Sequence, residues 1–287
     1  MNRPLLTRTI SALALTVFAI GYWPLTAQAA GQTVNLAPHR AFYDLEAGRL
    51  DGNAGILSIS GKLAYEISGS SCNGYAVSYR VANRYTQGEG SAPQVTDNQQ
   101  TSFESGDGLE LDLQQKNFVN SKLQTQSRIK VKKPKAGDAG AGEIIATETT
   151  PITTDAKAVF PTEYQRLLSA AALAGENRFE SLVFEGSDGD KPMRAIAFIG
   201  ARKESGGLVN EAQVAALDTD KLNQMAYWRV SVSYYSASGR GDDAPLYQAT
   251  FNMLENGVST DLLLDYGTYS LKGKLSKIEM LAKETCN

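Results

Sequence analysis

The chain has 287 residues, of which 42% are hydrophobic, and a formal net charge of −3. This length is enough to bury a sizeable core, and the mild acidity gives no electrostatic footprint for nucleic acid or an anionic lipid surface. The sequence contains one histidine. This disfavours a Ser-His-Asp triad, which needs a histidine as its general base, and a zinc site that is built from several histidines.

The first residues are typical of a secretory signal peptide. Arg3 and Arg8 give a basic start, an apolar stretch covers 10–25, and Ala27-Gln28-Ala29 places small residues at alternate positions, which suits signal peptidase. We therefore predict export with cleavage after Ala29. Residues 30–287 lack a run of roughly eighteen apolar residues and hence a transmembrane segment, and we expect them to form a single β-rich domain.

The sequence contains two cysteines, Cys72 and Cys286. An exported protein meets an oxidising compartment, where an even number of cysteines indicates a disulfide more simply than a metal site. We predict a Cys72–Cys286 disulfide. It would fix the end of the chain against its N-terminal half, and we expect it to hold a curved sheet shut.

Apolar and polar residues alternate along most of the chain, which predicts a sheet with one covered face. Glycine-rich segments between the alternating runs favour hairpins. The predicted inward rows are Ile59, Leu63, Tyr65 and Ile67; Tyr75, Val77, Tyr79 and Val81; Leu109, Leu111 and Leu113; Trp228, Val230, Val232 and Tyr234; and Tyr247, Ala249, Phe251 and Met253.

Residues 161–175 depart from this alternation and predict an amphipathic helix. Pro161 suits a first helical turn, Gly175 can cap the end, and Tyr164, Leu167, Leu168 and Ala171 share a face. A weaker helical pattern covers 210–225. Many strands and one or two helices predict a mainly β fold: a single strongly curved antiparallel sheet, either a β-spiral or a half-barrel, with the helices against its concave face.

The motifs that could carry chemistry are weak, and we predict no catalytic residue, metal site or cofactor. His39 is expected to pack or to form a hydrogen bond. Asp188-Gly189-Asp190 lacks the other ligands of a calcium loop and is interpreted as a turn. Arg240-Gly241-Asp242 lies in a glycine-rich hairpin and is attributed to chance, and the basic run 130–135 is interpreted as a solvated loop.

Several segments, taken in order, resemble one known family. They are LAPHRAFYDLEAG (36–48), GKLAYE (61–66) before Cys72-Asn73-Gly74, FESGDG (103–108), LLSAAALAGE (167–176), VFEGSDGD (183–190) and NGVSTDLLLDYGTYSLKGKLSKIEML (256–281). In these the chain is similar to the EipB-like family of periplasmic cell-envelope integrity proteins of Gram-negative bacteria. One departure is the absence of a histidine soon after Phe160-Pro161-Thr162, where Glu163, Tyr164 and Gln165 follow.

The resemblance implies a bent antiparallel sheet with a central helix, paired cysteines and no known catalytic activity. We therefore predict a non-enzymatic periplasmic protein that supports envelope integrity and binds a lipid, a peptide or an envelope protein in the concavity of its sheet. The ligand-binding residues stay open. The alternative is a periplasmic hydrolase that acts on peptidoglycan or polysaccharide through two carboxylates.

Overall fold

The computed structural model describes residues 34–208, 220–237 and 243–286. The predicted signal peptide, most of the predicted helix 210–225 and the tripeptide 240–242 lie outside these residues. The strands are β1 His39–Leu50, β2 Ser58–Ser70, β3 Gly74–Thr86, β4 Gln94–Glu104, β5 Glu110–Val119, β6 Lys122–Lys132, β7 Ala141–Ile145, β8 Thr149–Thr153, β9 Ala158–Val159, β10 Arg178–Asp188, β11 Lys191–Ile199, β12 Tyr227–Ser236, β13 Tyr247–Leu254, β14 Ser259–Asp265 and β15 Tyr269–Met280. The helices are α1 Pro161–Leu173 and α2 Asp220–Asn223.

All fifteen described strands belong to one open sheet, in the order β8-β7-β6-β5-β4-β3-β2-β1-β15-β14-β13-β12-β11-β10-β9. The sheet is thus two meanders joined at the centre, where β1 pairs antiparallel with β15 through His39↔Met280 and Leu45↔Gly273. Neighbouring strands are antiparallel, except that β9 and β10 are parallel. The prediction of a single, strongly curved, mainly antiparallel sheet is confirmed.

The sheet is wound into a spiral because β10, near one end of the sheet, packs against β5 and β6 of the other half. Phe184 of β10 is fully buried in one cluster with Leu113 of β5 and Ile129 of β6. Val183, on the opposite face of β10, packs instead against the helix side. A strand that is covered on both faces has consecutive apolar residues in its sequence. Leu182-Val183-Phe184 of β10 is such a run.

Helix α1 lies on the concave side of the sheet, as predicted. Its buried residues Tyr164, Leu168 and Ala172 pack in one cluster with side chains of β10, β11, β12 and β13. The helix ends before Gly175, whose φ of 81° is the left-handed conformation that favours glycine. Leu167, predicted to share the inner face, is half-buried.

Two interpretations of the sequence are wrong in the structure. The alternation identified Ile59 to Ile67 as the first inward row, but residues 39–50 already form a strand, β1. The basic run is not a solvated loop, because Lys130–Lys132 end β6 and Lys133 is 5% exposed. The Lys133 ammonium donates a hydrogen bond to the Ala158 carbonyl and lies 5.5 Å from the Phe160 ring centre, which compensates for its burial.

The disulfide joins Cys72, in the turn between β2 and β3, to Cys286 in the tail after β15, with Cα atoms 5.8 Å apart. Because β2, β1 and β15 are neighbours in the sheet, this bond fixes the tail beside adjacent strands. It does not join the two ends of the sheet, so the expectation that it holds the spiral shut is wrong. Closure is provided by the packing of β10 on β5 and β6.

Candidate functional site

The wound sheet encloses a cavity of about 330 Å³ between helix α1 and the concave face. Strands from both meanders and the helix contribute to its wall, so the site exists only after the spiral closes. The apolar part of the wall is formed by Leu63, Leu168, Val183, Val232, Phe251, Met253, Leu262 and Leu264, and its tyrosines are Tyr43, Tyr65, Tyr79, Tyr164 and Tyr234.

Hydrogen bonds between distant elements hold parts of this wall in place. The Tyr43 hydroxyl of β1 donates to the Ser259 carbonyl of β14 at 2.6 Å. The Gln165 amide nitrogen of α1 donates to the Gly257 carbonyl at 3.1 Å, and the Tyr65 hydroxyl lies 3.5 Å from the Gln165 amide oxygen. These bonds join the helix to both meanders, and such preorganisation lowers the entropic cost of binding.

The Tyr164 hydroxyl is an exception. It is buried at the cavity wall and finds no hydrogen-bond partner among the described residues. A buried hydroxyl without a partner is costly, so this oxygen is a position at which a polar atom inside the cavity would be stabilised.

Helix α1 is positioned by a carboxylate from the sheet. Its N-cap residue, Phe160, provides no side-chain hydrogen bond. Instead Glu104, at the end of β4, accepts hydrogen bonds from the Thr162 backbone N–H at 2.8 Å and the Glu163 backbone N–H at 3.2 Å. Glu104 is 2% exposed, and burial raises its pKa to about 7 although these donors lower it. The carboxylate satisfies amide groups that an uncapped helix leaves unpaired.

Four tyrosine rings form a continuous array that begins in the cavity. Tyr234 of the wall stacks on Tyr247 at 4.4 Å between ring centres, Tyr247 lies 6.2 Å from Tyr266, and Tyr266 lies 5.0 Å from Tyr269. Tyr266 is exposed to solvent. The array therefore gives an aromatic surface that extends from the interior to the outside of the sheet.

Glu185 lies where this array enters the cavity. Burial raises the pKa values of Tyr79, Tyr234 and Tyr247, and the Glu185 carboxylate raises all three further. These phenols are therefore uncharged at neutral pH, and two of them, Tyr79 and Tyr234, line the cavity together with Glu185.

His39 also lines the cavity, at its β1 side. It is buried, its Nδ1 lies 2.7 Å from the Ala37 carbonyl oxygen, and its ring centre is 5.5 Å from that of Tyr65. Burial lowers its pKa, so the ring is mainly neutral at pH 7. The predicted packing and hydrogen-bonding role is confirmed.

The other motifs do not meet at the cavity. Gly189 and Asp190 form the turn between β10 and β11, as predicted. Within the described ranges, no group of three acidic, histidine or cysteine side chains could hold a metal ion, and neither helix has the length and apolar character needed to cross a membrane.

Sequence reasoning did not identify the cavity residues, although it contained part of the signal. Tyr65, Tyr79 and Tyr234 occupy predicted inward positions of alternating strands, and such residues are ordinarily core. Glu185 had a clearer signal, because it is a charged residue two positions after the inward-facing Val183. A charge on the covered face of a strand is a candidate for function.

Comparison with known proteins agrees with this architecture. The EipB-like family model matches residues 30–282. A curated relative, the cell envelope integrity protein EipB of Brucella abortus, is 32% identical over 261 residues, which are 88% of each chain. A crystal structure of a beta-barrel-like protein of a domain of unknown function, also from Brucella abortus, has a TM-score of 0.79 and 27% identity and covers 87% of this chain and 100% of that chain.

The family model and the curated relative both extend over most of the chain, and the solved structure has a similar fold. The chain belongs to the EipB-like family, and its relative supports a role in the integrity of the cell envelope.

Proposed function

We propose that this chain is a non-enzymatic periplasmic protein that supports envelope integrity by holding the apolar part of a lipid or peptide in its cavity. The proposal includes export, cleavage after Ala29 and a single domain over 30–287. The observation that carries it is the cavity itself, which is mainly apolar and is formed jointly by both meanders and helix α1. Pockets of about 300 Å³ or more with a few polar groups are typical of small-molecule sites.

The wall supports binding over glycoside hydrolysis. A glycosidase needs two carboxyl groups about 5 to 10 Å apart across its substrate. Among the described residues that line the cavity, Glu185 is the one carboxylate, and Glu104 is engaged by the amides at the start of α1. The arrangement suits a site that retains a ligand by shape and burial.

Fluorescence titration with N-phenyl-1-naphthylamine, an uncharged apolar probe, tests the binding proposal. We expect saturable binding of one probe per chain. Leu264→Trp, which places a larger side chain on the cavity wall, should weaken binding about tenfold because it fills the space. The neighbouring Leu263 is absent from the wall, so Leu263→Trp is the matched control and should retain affinity.

Loss of affinity in both tryptophan variants, or no saturable binding to the parent chain, would refute the cavity as the site. Native mass spectrometry of chain purified from its own periplasm provides the second test. We expect a mass that corresponds to cleavage after Ala29, and a retained apolar molecule that Leu264→Trp loses.

A further inference from the structure

Strands β4, β5 and β6 carry an uncharged polar surface on the concave side of the sheet. Gln100 of β4 pairs with Tyr79, a residue of the cavity wall, so Gln100 and every second residue of β4 face the concave side. The register extends this side across β5 and β6. We call the following side chains the amide face: Gln94, Thr96, Asn98, Gln100 and Ser102 of β4, Gln115 and Asn117 of β5, and Thr125 and Ser127 of β6.

The amide face begins where the packing that closes the spiral ends. Leu113 of β5 is buried against Phe184 of β10. Two residues further along β5, the concave side carries Gln115, and then Asn117, which is exposed. An antiparallel sheet ordinarily has one face packed on the core and one in solvent. This part of the sheet has polar residues on both faces, so its concave side is open to a ligand.

The charged residues of the same strands lie on the opposite side. Asp97 of β4 accepts hydrogen bonds from Arg80 at 2.9 and 2.7 Å, and Asp112 of β5 accepts them from Arg128 at 2.8 and 2.5 Å. Exposed protein surface is ordinarily rich in charged residues, whereas the amide face contains none. The first charged residue on its side, Lys122, lies next to the turn between β5 and β6. This separation of charge favours a ligand that is itself uncharged.

The groups of the amide face match the chemistry of sugar hydroxyls. A side-chain amide offers both a donor and an acceptor, and a hydroxyl group also does both. Bonds between neighbouring strands orient these amides: Gln115 Nε2 lies 3.4 Å from Gln100 Oε1, and Asn117 Nδ2 donates to Thr125 Oγ1 at 2.8 Å. The amide face is thus a partly ordered array of donors and acceptors across three strands.

Aromatic side chains border the amide face along β3. The Tyr85 hydroxyl donates to Gln94 Oε1 at 2.8 Å, and Tyr79 pairs with Gln100. A sugar ring has apolar C–H groups as well as hydroxyls, and a tyrosine has an apolar body with a polar tip. In the OB-fold, a sheet face of a curved β structure binds oligosaccharides.

We propose that the amide face binds a neutral oligosaccharide, whose hydroxyls pair with the amide groups and whose C–H groups pack on the tyrosines of β3. At a rise of about 3.4 Å per residue, β4 presents residues 94–102 over roughly 27 Å, which suits an extended saccharide chain. This site differs in chemistry from the apolar cavity and does not depend on the function proposed for the cavity.

Isothermal titration calorimetry with three hexasaccharides tests the inference. Maltohexaose and N-acetylchitohexaose are neutral, and hexagalacturonate is anionic. We expect at least one neutral hexasaccharide to bind with a Kd of about 0.1 mM, and hexagalacturonate to bind at least about tenfold more weakly. Raising the NaCl concentration from about 0.05 to 0.5 M should leave the affinity for the neutral ligand unchanged, because no charges are screened. Absence of binding by both neutral ligands would overturn the proposal.

Variants locate the site. Asn98→Ala should weaken binding about fivefold, as the loss of one hydrogen bond gives, and the double variant Asn98→Ala/Asn117→Ala about twentyfold. Both positions are exposed, and melting temperatures verify that the variants fold. Gln126→Ala is the matched control, because Gln126 is an exposed residue of β6 on the opposite side of the sheet. It should bind as the parent chain does.

Equal losses in Asn98→Ala and Gln126→Ala, or an affinity that falls steeply with salt, would refute the amide face as the site. Saturation of the cavity with N-phenyl-1-naphthylamine should leave saccharide binding unchanged, so each proposal can fail without the other. Sedimentation velocity tests another occupant of the amide face, a second copy of the chain. A parent dimer that Asn98→Asp dissociates would show that the proposal is wrong.

Discussion

Individual hydroxyl groups of the cavity differ in how well they are satisfied, although they belong to the same residue type. The Tyr43 hydroxyl donates to the Ser259 carbonyl, whereas the Tyr164 hydroxyl has no partner among the described residues. The net value of a hydrogen bond is about 1 kcal/mol, and an unpaired buried group is a cost. The two tyrosines should therefore respond in opposite ways to loss of the hydroxyl.

We expect Tyr43→Phe to lower the free energy of unfolding by about 1 kcal/mol, since it leaves the Ser259 carbonyl without its donor. Tyr164→Phe should leave this free energy unchanged or raise it by up to about 1 kcal/mol. Urea unfolding of the ligand-free chain measures both. A large destabilisation by Tyr164→Phe would show that its hydroxyl has a partner in the folded protein.

Helix α1 depends for its first turn on Glu104, which is 58 residues away from Thr162 in sequence. Burial raises the pKa of Glu104 to about 7, above its ordinary value of 4.5. A group whose pKa is higher in the folded state binds its proton more tightly there. Its contribution to stability is fully present below pH 4.5 and is lost as the pH rises through about 7.

We therefore expect the parent chain to lose stability relative to Glu104→Gln between pH 5 and pH 8, by roughly 3 kcal/mol at most. Melting temperatures of the two proteins across this range measure the difference. The comparison with the variant is needed because the lowered pKa of His39 acts in the opposite direction. Glu110→Gln, at an exposed position of β5, is the control, and parallel curves for parent and Glu104→Gln would contradict the prediction.

Winding of the whole molecule brings the N-terminal meander into contact with β10 at Gly186. This residue has φ of 74°, and a Cβ atom here would collide with Ile129 Cδ1 and lie 3.3 Å from Leu113 Cδ2. Glycine adopts this left-handed conformation without steric cost, and a Cβ atom here would require the Ile129 side chain to shift. Gly186 thus sits at the contact that closes the spiral.

We expect Gly186→Ala to lower the free energy of unfolding by about 3 kcal/mol, since it combines backbone strain with overpacking. Gly189, in the following turn, has φ of 63° and open space around its Cβ position, so Gly189→Ala should cost only about 1 kcal/mol. Chemical denaturation measures both. Equal effects would mean that the strand contact does not limit this position.

The disulfide acts on the whole molecule through the unfolded state. It spans 214 residues, and the loop-entropy model gives roughly 5 kcal/mol as an upper value for such a closure. We expect the double variant Cys72→Ser/Cys286→Ser to melt several degrees below the parent chain under oxidising conditions. With reductant, the two proteins should melt together. If the double variant and the parent chain melted at the same temperature without reductant, the disulfide would not contribute to stability.

Local patterns in the sequence were enough to predict the mainly β fold, helix α1 and the pairing of Cys72 with Cys286. The strands were predicted from side-chain alternation, and helix α1 from a proline followed by an apolar face and a glycine. Both signals lie within a few residues of each other in the sequence. The disulfide was predicted from an even number of cysteines in an exported chain. Successive side chains of a strand point to opposite faces of the sheet. The inward-facing residues of β2, β3 and β12 could therefore be predicted from the sequence.

The cavity was decided by the tertiary structure alone. Which strands oppose each other across the interior depends on the contact of β10 with β5 and β6, and no local period records a pairing between residues so far apart in the chain. The same holds for Glu104 at the start of α1 and for Glu185 among the tyrosines. Their environments, and hence their pKa values and binding potential, arise from burial and long-range contacts that exist only after the sheet has wound.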